Sequence, residues 1–283
     1  MHNIITNFDQ ILNFAKESQA PVDKRRGVIR EYLQSKFIAT MYSLPNSEKI
    51  SFVGGTSLRL LRNSNRFSED LDFDNLGLLN TEVKSLVSEV VRRFQAEGLE
   101  VELRSQIKEG KDSDKKSDPD NLPTGKTYFD LRFPNLLKEL KITTNPREKL
   151  MIKIDYASFW KGQSTEVVLF NKYGFIENIV ANKINQTIVQ KLAAYLQRKT
   201  TQPRDLYDIV WLYSQGARVD LAFTKANNLG DIVQKATDKY NLEGIPENFK
   251  NKLAPFLFNS DDVRKLDLFG SVLSSLSGRS ARP

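Results

Sequence analysis

The run Asp70-Leu71-Asp72-Phe73-Asp74 alternates carboxylate and apolar side chains without a break. Successive side chains of a β-strand point to opposite faces, so Leu71 and Phe73 ask for a core while Asp70, Asp72 and Asp74 ask for water or a cation. Carboxylates crowded on one face repel unless positive charge sits between them. Such a strand restricts the chain to folds whose sheet has one buried face and one open, acidic face. Just upstream, Ile50 to Val53 is a short apolar run suited to a buried strand. Gly54-Gly55 then turns the chain, and Thr56 to Arg62 opens a helix.

The surrounding pattern supplies partners for that strand. Val28, Ile29, Tyr32, Leu33 and Phe37 recur at helical spacing, as do Val83, Leu86, Val87, Val90 and Phe94 within Thr81 to Ala96. Leu99 to Leu103, Thr127 to Phe133, Leu150 to Phe159 and Glu166 to Phe170 read as strands. Residues 109–126, rich in Gly, Asp, Ser, Lys and Pro, read as a hairpin extension. After Gly174 the periodicity reads as helical to the end. Ile184, Ile188, Leu192, Tyr195 and Leu196 form one stripe, and Leu206, Ile209, Val210 and Tyr213 another, with further helices near 231–241, 246–257 and 261–276. The expected fold is α/β (α+β): a mixed sheet with flanking helices in 1–174 and a helical domain in 175–283.

Composition narrows the chemistry. The chain has no Cys, and its one His is His2, near the N-terminus. Thiol catalysis, disulfides and Cys- or His-built metal cages are thereby excluded, and any reaction rests on carboxylates, Lys, Arg, hydroxyls and a bound ion. A net charge of +7 suits a polyanionic partner such as RNA, DNA or a triphosphate. Met1 to Ala20 shows no signal-peptide pattern, and no apolar run approaches the ~20 residues that span a bilayer. A cytoplasmic protein without a membrane partner is expected.

Three features carry chemistry. Gly54-Gly55-Thr56-Ser57 lies between strand and helix, where free N–H groups and hydroxyls cradle a phosphate; taken alone, it reads as a capped turn. Asp70 and Asp72 share a strand face and offer oxygen ligands to Mg²⁺ or Mn²⁺; taken alone, they read as a solvated face. Asp155 lies on a second alternating strand, sharing its face with Lys153 and opposing Ile152, Ile154 and Tyr156. It is a candidate third metal ligand or general base.

In combination these features resemble the nucleotidyltransferase superfamily, and Ile29 to Asp74 resembles the AbiEii/MenT-type toxin nucleotidyltransferases of type IV toxin–antitoxin systems. Phe52, Gly54, Gly55, Thr56, Leu58 and Arg59 match the first family motif, and Arg66 to Phe73 match the second. Lys191, followed by Arg204-Asp205-Leu206-Tyr207-Asp208, matches a third. The resemblance spans roughly residues 29–215.

It implies a bilobed enzyme that uses a nucleoside triphosphate and a divalent metal, with its active site between the lobes. Asp70, Asp72 and Asp155 would be catalytic and metal-binding. Lys191 and Asp208 would be catalytic, Lys191 steadying the triphosphate. Gly54, Gly55, Thr56, Ser57, Arg66, Ser68 and Arg204 would line the nucleotide site. It also implies an RNA acceptor, with the tRNA 3′ end foremost, and a cognate antitoxin. Val53 departs from the pattern, since many relatives carry Lys there. A protein hydroxyl as acceptor, or a catalytically silent nucleotide- or RNA-binding module, stays open as an alternative.

Overall fold

The computed structural model describes residues 4–108 and 126–278; the predicted extension at 109–126 falls almost wholly outside them. The elements in chain order are α1 (Phe8–Glu17), α2 (Arg25–Tyr42), β1 (Ile50–Val53), α3 (Gly54–Arg62), β2 (Leu71–Asn75) and α4 (Asn80–Ala96). There follow β3 (Glu102–Lys108), β4 (Lys126–Phe133), α5 (Leu136–Glu139), β5 (Leu150–Ala157), β6 (Thr165–Lys172) and β7 (Phe175–Asn182). The remainder is helical: α6 (Ile184–Gln197), α7 (Pro203–Ser214), α8 (Leu221–Ala226), α9 (Ile232–Glu243), α10 (Phe249–Leu253) and α11 (Phe269–Leu276), with two 3₁₀ segments between the last two.

The expected class is observed: a mixed sheet with flanking helices, followed by a helical region. Seven strands pair in the order β3-β4-β5-β2-β1-β7-β6. β2 runs antiparallel to β1 and parallel to β5, and β1 is parallel to β7. Val28, Ile29, Leu33 and Phe37 of α2 are fully buried, as are Ile152 and Leu71 on the inward side of their strands. Tyr42, at the end of α2, places its hydroxyl 2.9 Å from the Ile50 carbonyl and 3.0 Å from that of Val180, fastening both β1 and β7.

Helical structure does not begin at Gly174. β7 intervenes, and the reason is visible in the turn: Tyr173 and Gly174 both adopt positive φ (54° and 79°), the backbone of a two-residue hairpin whose twist matches its strands. Phe175–Asn182 then returns alongside β6 and reaches β1. The stretches read as single helices at 246–257 and 261–276 are each part 3₁₀: Ala254–Phe256 contains Pro255, which lacks an N–H, and Ser260–Leu268 precedes α11.

Two compact units partition the chain. One comprises residues 1–63, 67–159 and 167–181; the other comprises 64–66, 160–166 and 182–283. The first holds nearly all of the sheet. In the second, Tyr195 and Tyr240 each meet Phe269 edge to face, packing α6 and α9 on α11.

Candidate active site

The site in the first unit begins at the end of β1. Register places Val53 opposite Asp72, Asp72 beside Asp155, and Asp155 opposite Tyr128, so four adjacent strands contribute one row. Neighbouring strands lie about 4.8 Å apart and residues in register share a face. Asp72 and Asp155 are therefore side by side, both half-buried. Their hydrophobic neighbours Leu71, Phe73, Ile154 and Tyr156 are buried on the other face, as the alternation requires.

Directly after Val53 the chain enters α3. Gly54 has φ +77°, and a Cβ placed there would lie 2.0 Å from Oδ2 of Asp72. Both facts require glycine: the backbone is left-handed, and it approaches the carboxylate too closely for any side chain. The first turn of α3 directs backbone N–H groups that have no intrahelical partner toward this end of the row. The Thr56 hydroxyl donates to the Asp70 carbonyl, and the Ser57 hydroxyl donates to the Gly54 carbonyl at 3.0 Å. Both hydroxyls thus brace the turn.

A buried network holds α3 in place. The Arg59 guanidinium donates to both carboxylate oxygens of Glu31 on α2, at 2.9 and 3.1 Å, and the Tyr173 hydroxyl donates to Glu31 Oε1 at 3.0 Å. Glu31 and Arg59 are each only 2% exposed. Arg59 was legible only as part of a family motif; its work is to fix the helix that carries the glycine turn. Gln34 donates to the Ser68 and Glu69 carbonyls, holding the approach to β2.

Lys153 is the residue that sequence reading noted but did not place in the site. It lies two positions before Asp155, hence on the same face, with its ammonium 3.1 Å from Oδ1 and 3.4 Å from Oδ2 of Asp155. The same ammonium sits 4.4 Å from the centre of the Tyr128 ring. Burial alone would lower the Lys153 pKa, but the hydrogen bond and charge of Asp155, with the charge of Asp70 adding, raise it above the ordinary lysine value.

The second unit gathers a different set. Arg66 donates to both oxygens of Asp208, Nε to Oδ1 at 2.7 Å and an Nη to Oδ2 at 2.6 Å. The Lys191 ammonium lies 2.8 Å from Asp208 Oδ2. Asp208 has no exposure and Arg66 has 2%. Burial pushes the Asp208 pKa upward, but the charges of Arg66 and Lys191 outweigh it and hold the carboxyl down at about 2. Beside it, Arg198 pairs with buried Asp205 at 2.6 Å. Arg204 is half-buried and makes no ion pair among the described residues. Ser68 is half-buried in the first unit and contributes its carbonyl to Gln34.

The structure therefore brings Gly54, Gly55, Thr56, Ser57, Asp70, Asp72 and Asp155 to one end of the sheet, and Arg66, Lys191 and Asp208 into one ion cluster in the helical unit. Comparison with known proteins matches the sequence to one family. Residues 38–268, most of the chain, match the sequence profile of the nucleotidyl transferase AbiEii toxin of type IV toxin–antitoxin systems. The chain belongs to the AbiEii family.

Solved structures agree on the fold. MenT4, a nucleotidyltransferase toxin from Mycobacterium tuberculosis, is 16% identical over 94% of this chain and 90% of its own, with a TM-score of 0.53. A Helicobacter pylori protein provisionally described as a nucleotidyltransferase is 19% identical, over 90% of this chain and 98% of its own, with a TM-score of 0.51. Among curated proteins none matches significantly. No helix among the described residues of this AbiEii-family chain is long and apolar enough to cross a membrane.

The family uses nucleoside triphosphates, and the donors in the first unit suit a divalent ion. Among the described residues no group of three or more Asp, Glu, His or Cys side chains converges closely enough to hold a metal unaided. Mg²⁺, however, ordinarily binds through one or two carboxylates and completes its shell with water and substrate phosphate. Asp72 and Asp155 are two carboxylates in register that fit that pattern, the side-chain-free backbone of Gly54 lies close against Asp72, and Oδ1 of Asp155 is buried without a hydrogen bond of proper geometry.

Proposed function

We propose that this AbiEii-family nucleotidyltransferase transfers a nucleotide from a nucleoside triphosphate to the 3′ hydroxyl of an RNA, with tRNA as the acceptor, and that a cognate antitoxin opposes it. The observation that carries the reading is the pairing of Asp72 with Asp155 in register, at the mouth of the glycine turn.

In this reading the amides at the start of α3 bind triphosphate oxygens, where the positive end of the helix dipole favours negative charge. Asp72 and Asp155, with Asp70 next to them, would hold Mg²⁺ or Mn²⁺. The ion supplies charge neutralisation to the triphosphate and to the attacking and leaving oxygens. Asp155 also takes the proton of the attacking hydroxyl. The acceptor oxygen bonds to the α-phosphorus, the bond to the bridging oxygen breaks, and pyrophosphate leaves. Lys191, held with Arg66 on Asp208, and Arg204, outside that ion cluster, keep the nucleotide roles that the family resemblance implies. The net charge of +7 suits an RNA acceptor.

The test is labelling. Purified full-length protein is incubated with total tRNA, Mg²⁺ and each α-labelled nucleoside triphosphate in turn, beside Asp72→Ala. Label on the RNA 3′ end, absent with the variant, is expected. Label on protein instead would move the acceptor to a protein hydroxyl. No label with any triphosphate in either fraction would overturn the proposal.

A further inference from the structure

The Lys153–Asp155 contact has no part in the chemistry just described, yet it sits at its centre. The ammonium touches both oxygens of Asp155, at 3.1 and 3.4 Å. Asp155 is 17% exposed on its side chain and Lys153 36%, so the pair is partly shielded and the lysine retains a way out. Its long flexible stem suits departure, since an ammonium on four methylenes is a mobile point charge rather than a fixed fork. The Tyr128 ring, in register with Asp155 on β4, offers its face to the same ammonium at 4.4 Å, a weak electrostatic support that holds it without a covalent or charged tie. A divalent ion bound to Asp155 needs the oxygen lone pairs that this ammonium now faces, and two cations within a few ångströms repel strongly in a shielded site.

We propose that Lys153 is the resident counter-cation of the Asp155 carboxylate, and that a divalent metal enters only by displacing its ammonium. This rests on the assignment of Asp155 as a metal ligand. The exchange weakens metal binding in the free protein. It also leaves a displaced ammonium beside the place where triphosphate oxygens arrive, so metal and nucleotide favour each other's binding. Lys153 is then a positioning residue that resists metal capture until the triphosphate brings its own negative charge.

The experiment measures Mn²⁺ binding to the full-length protein without nucleotide, by the loss of the free-ion paramagnetic resonance signal at 0.15 M salt. The variants are Lys153→Met and, as a second neutral replacement, Lys153→Gln. Lys153→Arg keeps the charge, and Lys149→Met removes a lysine beyond the start of β5. Circular dichroism confirms that each is folded. Expected is Mn²⁺ binding about tenfold tighter in either neutral variant, the scale of one charge-assisted hydrogen bond broken. Lys153→Arg should stay near the parent and Lys149→Met within about twofold of it, since separated surface charges are screened at this salt.

Neutral variants that bind Mn²⁺ no tighter than the parent would overturn the displacement, while leaving the metal site intact. So would an equal gain in Lys149→Met, which would mark a general charge effect. Failure of parent and variants alike to bind Mn²⁺ at millimolar concentration would overturn the metal-ligand assignment together with this inference.

Discussion

Asp155 and Asp208 are both aspartates with lysine at salt-bridge distance, and the sequence offers both as catalytic. Their surroundings separate them. Asp155 stands on a partly shielded strand face and, among the described residues, is ion-paired with a lysine about one-third exposed. Asp208 has no exposure and answers two cations, one of them a buried arginine gripping both oxygens. A carboxylate with no exposure and three fixed cation contacts offers no open face to a metal; one that is partly exposed and held by a mobile ammonium keeps such a face. The contrast teaches that charge type nominates a residue, while burial and the number of fixed partners decide whether it meets substrate or organises what does.

Breaking each side of the contrast should give opposite signatures. Asp208→Ala strands Arg66 and Lys191 as uncompensated charges, and removing one partner of a buried pair costs about 3–5 kcal/mol. Thermal melting should fall accordingly, with activity lost alongside. Asp72→Asn should instead leave the melting temperature within a degree or two of the parent, while nucleotide transfer drops by more than about 100-fold, since even outer partners of a metal site cost 10- to 100-fold. Equal loss of stability in both variants would erase the distinction.

Acid sharpens it further. The Asp208 carboxyl is held at about 2 in the folded protein, below its ordinary value of 3.8. The unfolded chain therefore binds the proton first as pH falls, so the stabilisation is complete above about pH 4 and is lost progressively toward pH 2. The contribution at stake is on the order of 2 kcal/mol. Denaturant midpoints measured at pH 5, 4 and 3 should decline, and the part due to this group should vanish in Asp208→Asn.

How much of this was legible beforehand follows the range of the interactions. The alternation of Asp70 to Asp74 and of Leu150 to Ala157 encodes strand faces locally, so the acidic face, the buried neighbours and the glycine turn were all readable from adjacent residues. That Asp72 and Asp155 fall in register is a fact about strands β2 and β5, more than seventy residues apart in sequence, and only the sheet order reveals it. β7 escaped because Phe175 to Asn182 runs into the apolar stripe of α6 and blurs two periods into one. The Tyr-Gly pair ahead of it, with positive φ at both residues, was the available signal. Lys153 was seen on the right face and passed over because a lysine beside an aspartate reads as routine neutralisation. The Arg66–Asp208 pair was readable only as two separate motif residues, since no local pattern announces a partner 142 positions away.

That distance has a consequence for how the chain is made. Ser64–Arg66 interrupts the first unit but belongs to the second, where Asn65 accepts from the Phe258 amide and Arg66 bridges to Leu257 as well as gripping Asp208. At ribosomal speeds of 5–20 residues per second, the arginine waits on the order of ten seconds for its carboxylate and longer for Leu257. During that interval the nascent sheet can form while Arg66 still lacks its buried partner. A protein assembled in this order closes the second unit around Arg66 only after Leu257 and Phe258 have emerged.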